Sequence, residues 1–338
     1  MKKSILAVAV SAAMAMTAAN AEVSISGKAH VSIDSLNDGD ESSIYVSSNS
    51  SRIAFKASED IEGGLKAGFF AEQTITMDGA GTKVFDRETY VSLGGGFGSF
   101  AVGKIDTPMK NLGRKIDFFG DQIGDSRNLI GGGNFDARPG NMITYTTPDM
   151  GGIAATVAFV PEDGTKDASG FDLAANFTAG PLFVGGAYES HGKAWNAGGT
   201  ESETSIRLGA SYAMGDLKVA GLFETLTNVD GDKDANVTTL GVGASFKLGA
   251  GTVKGQLYKA NDYEDTSDTG AMMIALGYDH TLSKNTSVYA AYAVANNGDN
   301  SGYSMAGRGH GANPGVATDS LGNAESPSGL SFGMVTKF

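Results

Sequence analysis

The sequence predicts an all-β protein: a closed transmembrane antiparallel up-and-down β-barrel of about 16 strands. Three observations carry this. Apolar and polar residues alternate over unusually long segments, the connections between segments are short and long in turn, and the chain ends in the alternating run Leu330–Phe338. A terminal strand finds a second partner only if the sheet closes on itself. In lipid that closure is obligatory, because an open edge leaves N–H and C=O groups in hydrocarbon.

The N-terminus comes first. Lys2 and Lys3 precede a mostly apolar stretch, Ile5–Met16, and Ala19-Asn20-Ala21 fits the small-x-small pattern of a cleavable export signal. The apolar stretch falls short of the roughly 20 residues a spanning helix needs. Residues 1–21 are therefore expected to be a signal peptide, and 22–338 the barrel domain.

The first segment after it is the clearest. Val23, Ile25, Gly27, Ala29, Val31 and Ile33 alternate with Ser24, Ser26, Lys28, His30, Ser32 and Asp34. That run matches a tilted membrane strand of about 9–11 residues better than the usual five or six. Similar runs follow at 51–58, 65–75, 87–93, 97–105, 142–147, 153–160, 171–178 and 182–190. Further runs occupy 205–213, 217–227, 237–248, 252–260, 272–280, 287–295 and 330–338.

Short turns at 60–64, 94–96, 148–152, 179–181, 214–216, 249–251 and 282–286 take turns with long acidic loops near 35–43, 76–86, 106–137, 161–169, 191–203, 228–236, 261–269 and 296–328. Outer-membrane barrels show this asymmetry between their two ends. Barrels of about eight strands fill their interiors, whereas 16–18 strands leave an aqueous channel.

Composition narrows the class. The absence of cysteine excludes a disulfide scaffold. The net charge of −13, or −15 once Lys2 and Lys3 are removed, argues against nucleic acid as a partner. A mean hydropathy of −0.11 fits alternating strands and not a bundle of membrane helices.

Several fragments resemble the general, non-specific porins of Gram-negative outer membranes, a family of trimeric 16-stranded barrels. They are Ser51-Arg52-Ile53-Ala54-Phe55-Lys56, Arg87-Glu88-Thr89-Tyr90-Val91-Ser92-Leu93, Gly98-Ser99-Phe100-Ala101-Val102-Gly103-Lys104 and the stretch Tyr278 to Tyr292, in the family's order and spacing. The resemblance runs along the whole mature chain. It implies that the third long loop, 106–137, folds inward and narrows the pore. It also implies a basic ladder on the facing wall, at Lys28, Arg52, Arg87 and Arg138. Asp117, Asp121 and Asp125 are the loop's candidate acidic side, although the family's usual acidic tip motif is not recognisable here. Opposed charges across a narrow, poorly screened gap would align polar solutes.

The resemblance further implies a homotrimer among outer-membrane lipid and lipopolysaccharide, with Phe338 as the signal read by the barrel assembly machinery. The expected function is passive diffusion of small hydrophilic solutes and ions. Weak cation preference is expected from the net charge and acidic outer loops. The alternative is a substrate-specific porin, for sugar or phosphate, with its binding site in the neck; an outer-membrane hydrolase or an adhesin is more distant.

Enzymatic signals are thin. Gly124-Asp125-Ser126 has no partnering Asp-x-x-His, and Gly302-Tyr303-Ser304-Met305-Ala306 lacks the second glycine of a nucleophile elbow. His30, His191, His280 and His310 have no metal-ligand spacing. Asp230, Asp232 and Asp234 mimic the start of a calcium loop, but Ala235 replaces its turn glycine. No catalysis, cofactor or bound metal is expected.

Overall fold

The computed structural model describes residues 21–338 except 80, 82, 83 and 133; the expected signal peptide lies outside them apart from Ala21. Among the described residues there are seventeen strand segments. They are β1 (Ala21–Asn37), β2 (Ser42–Ser48), β3 (Arg52–Ile61), β4 (Leu65–Thr74), β5 (Thr89–Gly95), β6 (Gly98–Lys104), β7 (Met142–Thr146), β8 (Ile153–Val160) and β9 (Gly170–Ala179). Then follow β10 (Leu182–His191), β11 (Glu203–Met214), β12 (Leu217–Thr227), β13 (Val237–Leu248), β14 (Gly251–Ala260), β15 (Ala271–Thr281), β16 (Thr286–Asn297) and β17 (Ser328–Lys337). Helix α1 (Pro108–Ile116) lies in the loop after β6.

All neighbours are antiparallel, and the ring closes where β17 pairs with β1, from Lys28 opposite Lys337 to Asn37 opposite Ser328. The terminal run is thus the closing stave, and Phe338 extends it through reciprocal backbone bonds with Gly27.

The seventeen segments make sixteen staves, because β2 and β3 both pair with β1 and form one interrupted stave. Ser48 stands opposite Val31 and Arg52 opposite Lys28, so three residues of this stave face two of β1. The extra residue is a β-bulge, with Ser50 at φ 48°. The bulge exchanges inside for outside. In β2 the even positions Ile44 and Val46 are exposed, whereas in β3 the even positions Arg52 and Ala54 share the inner face with Lys28. The expected loop at 35–43 is correspondingly tighter, since β1 runs on to Asn37 and β2 begins at Ser42. Serines dominate β2 and its phase breaks at the bulge, which hides its alternation.

The two-residue period places apolar side chains outside elsewhere too. Along β11, Ile206, Leu208 and Tyr212 are exposed while Glu203, Ser205, Arg207 and Ser211 are buried. A surface of this kind is what a lipid environment solvates.

The main apolar cluster lies inside the barrel, against one wall. Met109, Leu112, Ile116, Phe119, Ile123 and Phe135 of the loop after β6 are at most 3% exposed and belong to one buried cluster with Ala187, Leu222 and Ala275 of the wall. The expected inward loop is therefore present in the contacts. It contains a helix that the strand-based reading left out. Thr107 caps α1 by accepting from Lys110 N–H at 3.3 Å, and Pro108 occupies its first turn. Small residues make the seat. A methyl added at Gly185 would stand 2.5 Å from Leu112 Cδ1, and one at Gly209 would stand 2.5 Å from Ile116 Cδ1. Glycine within a strand marks such close approach.

The last long connection, 298–327, also enters the barrel. Met305 is fully buried and its carbonyl accepts from Gly124 N–H at 2.7 Å. His310 lies 3.4 Å from Asp34 of β1. Its apolar residues, Tyr303, Met305, Ala306 and Ala312 among them, follow no two-residue or helical period, so this second inward loop left little trace in the sequence pattern.

Candidate functional site

Four basic residues of the wall come to one side of the lumen because β1, β3 and the segments flanking β5 and β7 belong to one continuous stretch of the wall, with β4 and β6 between them. Lys28 opposes Arg52 directly across the β1–β3 pair. Arg52 meets Glu72 of β4 at 3.2 Å, and Arg87 binds the same carboxylate. Arg138 reaches Asp106, just past the end of β6, at 2.8 Å.

The loop brings further charge to these groups. Asp121 lies 2.6 Å from Lys28, 3.7 Å from Arg52 and 3.0 Å from Arg127. Burial opposes its ionisation, but Lys28 and Arg127 outweigh that and hold its carboxyl well below the usual carboxylate range. It is ionised throughout the physiological range. From α1, Lys110 and Arg114, one helical turn apart on a single face, reach Asp106 at 2.9 and 3.3 Å.

The other two candidate acids do different work. Asp125 is fully buried; it accepts from Asp121 N–H at 2.8 Å and Arg127 N–H at 2.9 Å, and pairs with the Arg127 guanidinium at 2.5 Å. Asp117 ends α1 and faces the wall away from the ladder. It accepts from Gln256 Nε2 at 2.9 Å and Phe119 N–H at 3.0 Å. Burial, and then the Asp125 carboxylate, push its carboxyl up to about 7.

The arrangement differs from an acidic loop facing a basic wall. Seven cations (Lys28, Arg52, Arg87, Lys110, Arg114, Arg127 and Arg138) share four carboxylates: Glu72, Asp106, Asp121 and Asp125. The loop contributes bases as well as acids. Two of the bases lie nearest the water, the Arg114 and Arg52 side chains being 33% and 25% exposed; the other five are as buried as Glu72 and Asp121, and Asp106 and Asp125 are the most buried of all. Weak cation preference, which weighed the outer loops and net charge, does not fit this collar. Glu72 and Asp106 are the counter-ions that sequence reading missed. Glu72 stands in the apolar run of β4, where a lone carboxylate on an inward position was the available signal.

Two buried clusters hold the loop in place. Arg207 of β11, with no exposed surface, donates to Met109 O at 3.0 Å and pairs with Asp136 at 2.7 Å and Glu224 at 2.5 Å. Glu224 also accepts from Gly131 N–H at 2.9 Å. Nearer the tip, Lys254 donates to Phe118 O at 3.0 Å and Gln122 Oε1 at 2.9 Å, with Asp279 at 2.8 Å as its ion-pair partner. At the start of α1, Asp172 Oδ2 accepts from Met109 N–H at 2.9 Å, satisfying one of the helix's free N–H groups.

Phe338 lies on the outer face, where its ring covers Gly27: a methyl added there would come 2.8 Å from Phe338 Cε1. Trp195 stacks on His191 with centroids 4.2 Å apart, and His191 stacks in turn on Phe135 of the inward loop.

Known proteins supply the family. A model described as Gram-negative porin matches residues 7–300. Outer membrane porin protein 32 of Delftia acidovorans is 32% identical over 332 residues, covering 91% of this chain and 93% of that one. Major outer membrane protein P.IB of Neisseria meningitidis serogroup B / serotype 15 is 27% identical over 273 residues, covering 76% and 80%. Among solved structures, an anion-selective porin from Comamonas acidovorans superposes with a TM-score of 0.81 at 27% identity, covering 94% of this chain and all of that one.

Proposed function

Because the chain belongs to the Gram-negative porin family, we propose that it is an outer-membrane diffusion pore for small hydrophilic solutes whose neck favours anions. The collar of seven cations on four carboxylates carries the reading. Acidic outer loops concentrate cations at the mouth, but bulk electrolyte screens exposed charges beyond about 10 Å. In the neck, low-dielectric walls focus the field, and there the surplus charge is positive. Weak cation preference gives way to anion preference on that ground, and the anion-selective porin from Comamonas acidovorans agrees with it.

Flow is passive. A hydrated anion exchanges part of its water shell for the guanidinium groups of Arg52 and Arg114, then leaves because none of these charges is free of a carboxylate neighbour. Shared counter-ions keep the cations in place without letting any of them hold the solute tightly. Lys28, Arg52, Arg87 and Arg138 form the wall side of this constriction and Asp121 ties the loop to it; Asp117 and Asp125 support the loop from behind.

The reading includes removal of residues 1–21, assembly as a homotrimer surrounded by lipid and lipopolysaccharide, and recognition of Phe338 by the assembly machinery. Family membership and the exposed apolar outer face support it. The decisive test is the reversal potential of the refolded protein in planar bilayers under a potassium chloride gradient. The expected sign is that of chloride preference, and potassium preference would overturn the reading.

A further inference from the structure

A second recess opens on the outer side of the collar. It is a cleft of about 440 Å³ between the two inward loops. Its floor is apolar: Ile130, Leu226 and Val237 line it and are 2%, 2% and 5% exposed. Tyr263 and Tyr303 line its side, packed against the same apolar cluster, with their hydroxyls in contact. Arg127, Asn128, Ser304, Asn313 and Arg308 bring polar groups to the rest of the lining.

Arg308 is unlike the other six arginines of the chain. Each of those is ion-paired, whereas Arg308 forms no salt bridge or side-chain hydrogen bond among the described residues and feels Asp230 only at longer range. Its backbone is nevertheless held. The N–H donates to Asn128 Oδ1 at 3.2 Å, and the carbonyl accepts from Arg127 Nη2 at 3.4 Å. An arginine with a held backbone and an unpaired guanidinium, beside an apolar floor and two phenol rings, answers to a particular chemistry. The charge calls for a carboxylate, which matches a guanidinium fork. The floor and the rings call for a flat apolar body, which a halide or acetate lacks.

We propose that this cleft is an outer subsite that captures aromatic monocarboxylates and holds them ahead of the neck. The proposal rests on the anion preference argued above only for onward passage; capture depends on the cleft alone. Seated there, the carboxylate meets Arg308 at the rim and the ring lies over Leu226 and Val237. Arg127, which lines the cleft and belongs to the collar, is the next cation along the path.

The test uses the full refolded channel in a planar bilayer, with benzoate as the probe and acetate and benzyl alcohol as controls. Benzoate is expected to reduce the chloride current saturably, and each control to do so far more weakly. R308Q should raise the half-blocking concentration of benzoate about ten-fold. Gly302→Leu provides a second variant that leaves every charge in place. Gly302 lines the cleft, and an added Cβ there meets no atom within 4 Å, so the larger side chain obstructs without straining the loop. It should weaken block as well. Absence of block, equal block by either control, or block unaltered in both variants overturns the subsite. The reversal potential of the same unaltered channel reports separately on the neck: potassium preference there with benzoate block intact would sink the anion-selective neck and leave the subsite standing.

Discussion

Replacing Arg52 and Arg114 together by glutamine removes the two collar cations already noted as most exposed and cuts the surplus of seven cations over four carboxylates from three to one. A unit charge about 4 Å from a passing ion is worth about 1 kcal/mol where water screens it as in bulk. The same charge helps an anion and hinders a cation, so the anion-to-cation ratio responds to about twice that, a factor of about 30 for each of the two charges before any offset. Glu72, Asp106 and Asp121 already offset part of the field, and salt near 0.1 M screens more. The double variant should therefore lower the chloride-to-potassium permeability ratio by about three- to ten-fold. Reversal potentials across a potassium chloride gradient measure it directly. An unchanged or larger ratio would show that the collar does not govern permeating ions, and the charge count would lose its meaning.

Further expectations concern the loop and the closing stave. Asp117 lies on the loop with its carboxyl raised to about 7, so the folded barrel binds that proton more tightly than the unfolded chain. Its contribution is fully present below the ordinary aspartate range and is lost as pH rises through about 7. Asp117→Asn keeps an oxygen for Phe119 N–H, and should raise the melting temperature relative to the parent increasingly between pH 4 and pH 8; a gap independent of pH refutes this. Arg207→Ala leaves Asp136 and Glu224 buried without their cation, costing about 3–5 kcal/mol. It should lower the melting temperature and give noisier single-channel currents, and quiet currents with an unshifted melt would count against the anchoring role. Gly27→Val drives a side chain into the Phe338 ring and should reduce the yield of folded barrel, as deletion of Phe338 should. Normal yield from both would remove Phe338 from assembly.

The staves were legible because each residue of a membrane strand faces either lipid or lumen, and Val23–Asp34 states that choice residue by residue. The interior was less legible for the same reason. Once the polar face is known, nothing local distinguishes a lumen residue bathed in water from one buried under a loop, and Ser331 and Ser24 look alike in sequence although only Ser331 is fully buried. Helix α1 did leave a signal, Thr107-Pro108 followed by Met109, Leu112 and Ile116 at helical spacing. The glycines at 185 and 209 marked its seat. Each half of that signal depends on the other, since strand glycines mean close approach only when an approaching element has been identified. The collar's counter-ions were hidden differently: Glu72 and Asp106 gain their roles from Arg52, Arg87 and Arg138, which come beside them only when consecutive strands pair.

The bulge at Ser50 behaves like a reading frame. A stave is a two-letter code, and the extra residue between Ser48 and Arg52 shifts every later letter by one. Deleting it would ask Arg52 to face lipid and Ile53 to face water, a penalty no single substitution in β3 imposes. The neighbouring stave would be asked to slip instead, and the turn at 62–64 holds it. Length changes at 49–51 should therefore be far more damaging than any replacement there, whereas the exposed tips of the long loops can gain or lose residues without altering the code. For anyone grafting a new neck onto this scaffold, the number of residues before Arg52 matters as much as the arginine itself.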